Sequence, residues 1–414
     1  MKSRWLIQTA QKTGVVLLLS CATFAAAQNI SFDKADPAAA GMSPERLALI
    51  HTRMKEFVDT GKTAGVVTLV MRHGHLAGLD AVGYQNIDKK TPMTQDSIFR
   101  VQSITKPITA AGIMTLVDEG RLSLLDPVEK FVPEFHDLKV NNCGTRVGFN
   151  CELVPQERPI TVLDLMTHMS GLGDGAGAGG TQPPATRKEL VANTTSRSRL
   201  LFQPGTAWNY SNFGIGVLGG IIEVVSGKTY PDFMNEKIFQ PLGMQDSFYD
   251  VPADKQSRVA SIYVYADGKL SLLGPRPLPT IASPDSGLWS TARDLGRFNQ
   301  MMLNKGVLNG KRVLSAAAVE AMTTSQSGDI KAGYAPGVGQ GFGYEVVTSP
   351  LGMYRYTSIG SYEKAGVFRT YIWVDPAKDL VGVILQQRNS GGDAADLADE
   401  VNVFMAMAAA AIER

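Results

Sequence analysis

The sequence predicts a mixed α/β fold of the α+β type: an antiparallel sheet flanked by helices, built from both ends of the chain, with a mostly helical insert. Three observations predict it. Strand-like runs occupy 64–71 and 75–84 near the amino end. Further strand-like runs return late, at 342–348, 354–359, 367–374 and 380–387. Between 160 and 300 the apolar spacing is mainly helical, with long loops.

Taken in order, a helix over 43–60 opens with Ser43-Pro-Glu-Arg46, a capping serine followed by a proline whose missing N–H is not needed there. Ala64-Gly-Val-Val-Thr-Leu-Val-Met71 is apolar throughout and reads as a buried strand. Arg72-His73-Gly74 makes the turn to a return strand over 75–84. A helix begins near Ser103 and carries the apolar run 108–117. Helices follow at 160–166, 214–226 and 230–239, and the Gly/Pro-rich stretch 171–184 reads as a loop. A last helix covers about 394–412. The implied organisation is a signal peptide over 1–27, an α/β unit from 28–102 and 285–414, and a mostly helical unit over 103–284. The active site is expected in the cleft between the two units.

Of the 414 residues, 44% are hydrophobic and 19% charged, an ordinary globular balance with ample length for a core. Lys and Arg number 40 against 39 acids, so nothing favours nucleic acid or another strongly charged partner. No zinc-type Cys/His cluster, phosphate loop or dinucleotide fingerprint occurs, and no cofactor is expected. Residues 1–27 combine Lys2, Arg4 and Lys12 with the apolar run 15–24 and a small-residue cleavage site at Ala25-Ala-Ala27. The run is too short for a membrane anchor, so a periplasmic or secreted protein is expected, with lipidation of Cys21 as the alternative. Cleavage leaves Cys143 and Cys151, a pair that an oxidising compartment would join as a structural disulfide.

The chemistry starts at Ser103-Ile-Thr-Lys106. A serine at a helix start feels the positive end of the helix dipole, and a lysine three residues on lies on the same face. A desolvated lysine can take the hydroxyl proton and make the serine a nucleophile. Read blandly, Ser103 is an N-cap and Lys106 a solvated first-turn residue. Ser31 with Lys34 and Ser361 with Lys364 share the spacing, but neither opens an apolar helix. Tyr210-Ser-Asn212 supplies a phenol that can shuttle a proton and an amide that can meet Lys106 or a substrate carbonyl. Tyr84-Gln-Asn86 fits the same pattern but ends a hairpin strand. Lys364-Ala365-Gly366 is expected to open the strand 367–374, its glycine admitting a substrate close to the backbone. Lys12-Thr-Gly14 and Lys331-Ala-Gly333 lie in the leader and in a loop. The N–H groups of Ser103 and Val367 would then form an oxyanion site, each donor worth about 3–4 kcal/mol in the transition state.

In this order and spacing the three elements resemble the serine β-lactamase and penicillin-recognising superfamily, most closely its class C-like branch with family VIII carboxylesterases and DD-peptidase-like hydrolases. Phe99-Arg-Val-Gln-Ser-Ile-Thr-Lys-Pro107, Leu165-Met-Thr-His-Met-Ser-Gly-Leu172, Pro204-Gly-Thr-Ala-Trp-Asn-Tyr-Ser-Asn212, Gly287-Leu-Trp-Ser-Thr-Ala292 and Trp373-Val-Asp-Pro376 support it across the chain. The resemblance implies a β-lactamase/transpeptidase-like fold. It also implies Ser103 as nucleophile, Lys106 and Tyr210 as the base system, Asn212 as a polar ligand, and Lys364, Ala365, Gly366 and Val367 along one side of the cleft. The chain departs where the branch has Lys-Thr-Gly followed by Ser: here Ala365 and Val367 carry no hydroxyls. That favours hydrolysis of short-acyl carboxylic esters over cleavage of β-lactams or D-amino-acid peptides, or over a penicillin-binding protein that acylates without turnover. Lys364 keeps a cation for an acidic substrate group. None of the five histidines (51, 73, 75, 136, 168) is required, and no G-x-S-x-G element occurs.

Overall fold

The structure is a computed structural model that describes residues 30–142, 152–173, 186–195, 198–274, 281–349, 356–389 and 399–413. The leader, Cys21, the Cys143–Cys151 pair and most of 171–184 lie outside the described residues.

An eight-stranded antiparallel sheet runs, in spatial order, Val338–Gln340, Glu345–Val347, Tyr362–Gly366, Thr370–Asp375, Leu380–Leu385, Gly65–Arg72, His75–Asn86 and Thr91–Pro92. Every residue of its interior strand Gly65–Arg72 is buried, as its unbroken apolar run requires. Alternation sends Val66 and Val70 to one face and Val67, Leu69 and Met71 to the other. The first face is covered by the helices Pro44–Asp59 and Asp399–Ala410, through Ile50, Met54, Phe57 and Phe404. The second packs on the helix Ala292–Leu303, where Gly296 lets the backbone approach: a Cβ there would lie 3.1 Å from Leu69.

The helix Thr105–Asp118 is buried from Thr105 to Leu116, packed against the helices Asn212–Ser226 and Ala316–Thr323 and the stretch Asn235–Phe239. Its first turn meets the sheet at Gly343, whose positive φ and missing side chain let the 341–344 turn touch Pro107; a Cβ would sit 2.6 Å from the Pro107 backbone. The short pairing of Phe99–Arg100 with Trp289–Ser290 aligns the segment entering that helix. Among the described residues no helix is long and apolar enough to cross a membrane.

Three expectations change. Lys364-Ala365-Gly366 ends the strand Tyr362–Gly366 instead of opening 367–374; residues 367–369 turn, and the next strand starts at Thr370. The apolar and aromatic run from Val367 has strand propensity, but Arg369 takes a left-handed φ of 60° and closes the turn through its N–H to the Gly366 carbonyl. Residues 356–359 form no strand; Tyr356 is left-handed, with φ 57°. The π-helical stretch Asn235–Phe239 prolongs Tyr230–Met234 where one regular helix was expected.

Candidate active site

Ser103 sits in the single 3₁₀ turn Gln102–Ile104, just ahead of the helix that begins at Thr105. It is therefore not an N-cap. Gln102 holds a φ of 53°, an uncommon conformation for a side chain of its size, so the turn must be fixed by its surroundings. Thr105 Oγ1 donates to the Gln102 carbonyl at 2.6 Å and accepts the Leu288 N–H at 3.2 Å. Thr370 Oγ1 donates to the Val101 carbonyl at 2.9 Å.

Lys106 is fully buried, against the solvated reading of a first-turn lysine. Its Nζ lies 3.1 Å from Ser103 Oγ, 2.7 Å from Asn212 Oδ1 and 3.0 Å from the Asp285 carbonyl. Asn212 and Asp285 offer only acceptors to the amine. Two N–H bonds satisfy them, and a neutral amine then has its lone pair left for the serine proton. Tyr210 completes the set, its hydroxyl 2.9 Å from Ser103 Oγ. Asn212 opens the helix Asn212–Ser226, which Ser211 caps by accepting the Gly214 N–H at 3.0 Å.

Lys364 enters from the sheet. Its Nζ stands 4.8 Å from the Tyr210 ring centre, and that of Lys106 4.7 Å. Lys364 also pairs with Glu345 on the adjacent strand at 3.1 Å, and both are largely buried. Gly366 locks the same strand onto the nucleophile turn: a Cβ would fall 2.4 Å from the Val101 carbonyl and 3.2 Å from Gln102 Cβ. Ala365 and Val367 are exposed, with Val367 in the turn after Gly366. That turn is held from behind, since Arg369 and Arg388 each donate to buried Glu400 at 2.9 Å.

His168 is buried beside the phenol, ring centres 4.7 Å apart. Its Nδ1 accepts the Ser211 N–H at 3.2 Å, which places the ring proton on Nε2. Burial, reinforced by the Lys364 and Lys106 charges, holds the imidazole well below its ordinary range, so it is neutral. Trp208 and Tyr334 stand 6.5 and 5.8 Å from the Tyr210 ring, and Trp208 Nε1 donates to Gln340 at 3.2 Å.

The structure thus gathers Ser103, Lys106, Tyr210, Asn212 and Lys364, with Gly366 against the nucleophile turn. Sequence reasoning did not find Glu345, the Asp285 carbonyl or the packing role of His168. Glu345 belongs to no motif, and a carbonyl leaves no trace in residue identity. Among the described residues no cluster of His, Cys, Asp and Glu could hold a metal ion.

Known proteins match the chain in sequence and in fold. The profile of the Beta-lactamase family matches residues 50–404. Protein Rv1367c of Mycobacterium tuberculosis (strain ATCC 25618 / H37Rv) is 33% identical over 356 residues, covering 81% of this chain and 88% of its own length. Esterase EstB of Burkholderia gladioli is 30% identical over 224 residues, 51% of this chain and 54% of its own. The solved structure of EstCE1, a hydrolase with promiscuous acyltransferase activity, aligns with a TM-score of 0.72 at 21% identity, over 89% of this chain and 99% of its own; that likeness is one of fold.

Proposed function

Because the chain belongs to the Beta-lactamase family, a group of serine hydrolases, we propose that it hydrolyses carboxylic esters through an acyl-enzyme on Ser103. One observation carries this reading: Ser103 Oγ lies within hydrogen-bond reach of both Lys106 Nζ and Tyr210 OH. In the first step Oγ attacks the ester carbonyl and its proton passes to the Lys106–Tyr210 pair. Positive charge from Lys364 beside the ring favours the phenolate that can share this role. The Ser103 and Val367 N–H groups receive the oxyanion, and Tyr210 returns a proton to the departing alcohol. Water then attacks the acyl-enzyme with the same pair as base.

Esters are favoured over β-lactams and acidic peptides by the sheet side of the cleft. Lys364 already has a carboxylate partner in Glu345, which weakens it as an anchor for a substrate carboxylate. The exposed Ala365 and Val367 add no hydroxyl. We place the activity in the periplasm or outside the cell, on the strength of the leader sequence.

The test is p-nitrophenyl butyrate hydrolysis by the wild type and Ser103→Ala, with nitrocefin run in parallel. Ester turnover abolished by Ser103→Ala, together with weak nitrocefin turnover, is the expected result. Equal ester rates in both proteins would remove Ser103 as nucleophile, and nitrocefin turnover far above the ester rate would move the assignment to β-lactams.

A further inference from the structure

Two different environments meet at Ser103. One is the proton-handling side, with Tyr210 on Oγ and the Trp208 and Tyr334 rings around the phenol. The other begins one residue away. A cavity of about 610 Å³ is walled by Gln102, Val367, Phe368, Ile262, Leu273 and Trp289. Gln102 immediately precedes the nucleophile, and Val367 carries the second oxyanion N–H. Lys106, Tyr210, Trp208 and Tyr334 take no part in this wall.

The geometry of ester attack assigns the two environments. The carbonyl oxygen must lie at the two amides, and the leaving oxygen must lie within reach of the proton donor Tyr210. The alcohol portion is then on the Tyr210 side. The acyl chain departs from the carbonyl carbon on the remaining side, where Gln102 and Val367 border the cavity. Most lining residues are aliphatic or aromatic, while Arg100, Gln102, Gln256, Ser261 and Asn389 contribute polar atoms. The volume falls within the range of small-molecule sites of about 300–1,000 Å³, well beyond what an acetyl group occupies.

We propose that this cavity is the acyl-chain site, and that the preferred substrates are esters of medium-length apolar carboxylic acids rather than of acetyl-sized ones. This rests on the serine acyl-transfer reading and gives it a substrate class. Selectivity would come from segment 251–274 and the 367–369 turn.

Gly274 provides a clean probe. It lines the cavity, and a Cβ there meets no described residue within 4 Å, so a large side chain can be introduced beside the cavity without displacing described packing. The experiment compares kcat/KM on p-nitrophenyl acetate, butyrate and octanoate for the wild type, Ser103→Ala and Gly274→Trp. A buried methylene adds up to about fourfold, so the wild type should favour octanoate over acetate by about tenfold or more. Gly274→Trp should lose about tenfold on octanoate while keeping acetate within about twofold. A wild type that prefers acetate, or an octanoate preference untouched by Gly274→Trp, would overturn the proposal and leave the acyl-transfer reading standing.

A second measurement does not depend on turnover: the rate of Ser103 labelling by p-nitrophenyl methylphosphonate and octylphosphonate, followed by mass. Faster octyl labelling that Gly274→Trp abolishes supports the acyl site. Octyl labelling no faster than methyl rejects it. Failure of every ester and phosphonate to react at Ser103 would reject the acyl-transfer reading, and the proposal with it.

Discussion

Lys106 and Lys364 approach the same phenol ring from two different parts of the fold. Both are buried and both ammonium groups lie within 5 Å of the Tyr210 ring centre. Their partners differ. Lys106, on the helix side, donates to neutral oxygens: a serine hydroxyl, an amide and a carbonyl. Lys364, on the sheet side, faces the carboxylate of Glu345. A buried amine among dipoles can give up its charge, whereas one beside a carboxylate is held charged. In the proposed mechanism the difference divides the labour: the helix-side lysine exchanges a proton, and the sheet-side lysine supplies a fixed field.

The largest effect should come from removing the proton exchanger. Lys106→Met is expected to lower ester kcat/KM by about 10²–10⁴-fold at all pH values, the usual contribution of a positioned base. A loss no greater than that of Lys364→Met, measured side by side, would erase the distinction. Lys364→Met should act mainly through pH. Positive charge near the base pair favours its deprotonated form, so removing Lys364 should move the acid limb of the kcat/KM profile to higher pH, by about one pH unit. An unmoved limb would mean that Lys364 contributes no field at the ring.

His168→Phe should have a smaller effect. The ring stack on Tyr210 survives, but the buried Ser211 N–H loses its acceptor, at about 1–3 kcal/mol of stability. Melting temperature should fall while kcat stays within about tenfold of wild type. The acid limb should not shift, because the imidazole is already neutral. A loss comparable to that of Lys106→Met would make His168 a participant in the chemistry.

The smallest effect on activity should come from Asp294, remote from either lysine. It accepts the Asp246 N–H and the Ser247 hydroxyl, and burial pushes its carboxyl up to about 6. With the folded value above the ordinary 3.8, the folded state holds the proton more tightly. The stabilising contribution is therefore full below about 3.8 and is lost as pH rises through about 6, amounting to about 3 kcal/mol at most. Asp294→Asn keeps an acceptor oxygen and should flatten this slope. Melting temperatures of the two proteins should converge near pH 4 and separate at pH 7, with the variant higher. Parallel curves would show that Asp294 titrates normally.

The two lysine regions also differ in how openly the sequence declares them. The helix side was legible because its groups follow local rules: Lys106 is one turn from Ser103, and Ser211 caps the helix that Asn212 opens. The amino-terminal helix and hairpin were legible for the same reason, since Ser43-Pro44 and the unbroken run at 64–71 are periodic signals. The sheet side was harder. The motif marks Lys364 for the cleft but places it at the start of a strand; it lies inside the strand Tyr362–Gly366, and it is buried, as is Glu363. Their burial depends on neighbours such as Glu345, supplied by the sheet rather than by adjacent sequence. The strand-like run from Val367 misled because the turn at 367–369 is imposed by Gly366 seating on Val101, a contact between distant segments.

The order of the sheet has a consequence for biosynthesis. The interior strand Gly65–Arg72 is among the first elements made, but its neighbour on one side is Leu380–Leu385, with Val67 opposite Leu385. Pairings this far apart in sequence make for slow folding, because a long loop must close before any contact rewards it. The helix that follows Ser103 is made early, yet Gly343, which seats on its first turn, comes far later in the chain. Glu400, which holds the turn bearing the Val367 amide, is made later still. A ribosome stalled before that point carries every proton-transfer residue and no working site. On the proposed reading, hydrolytic activity is thus withheld until the last strand and helix have docked.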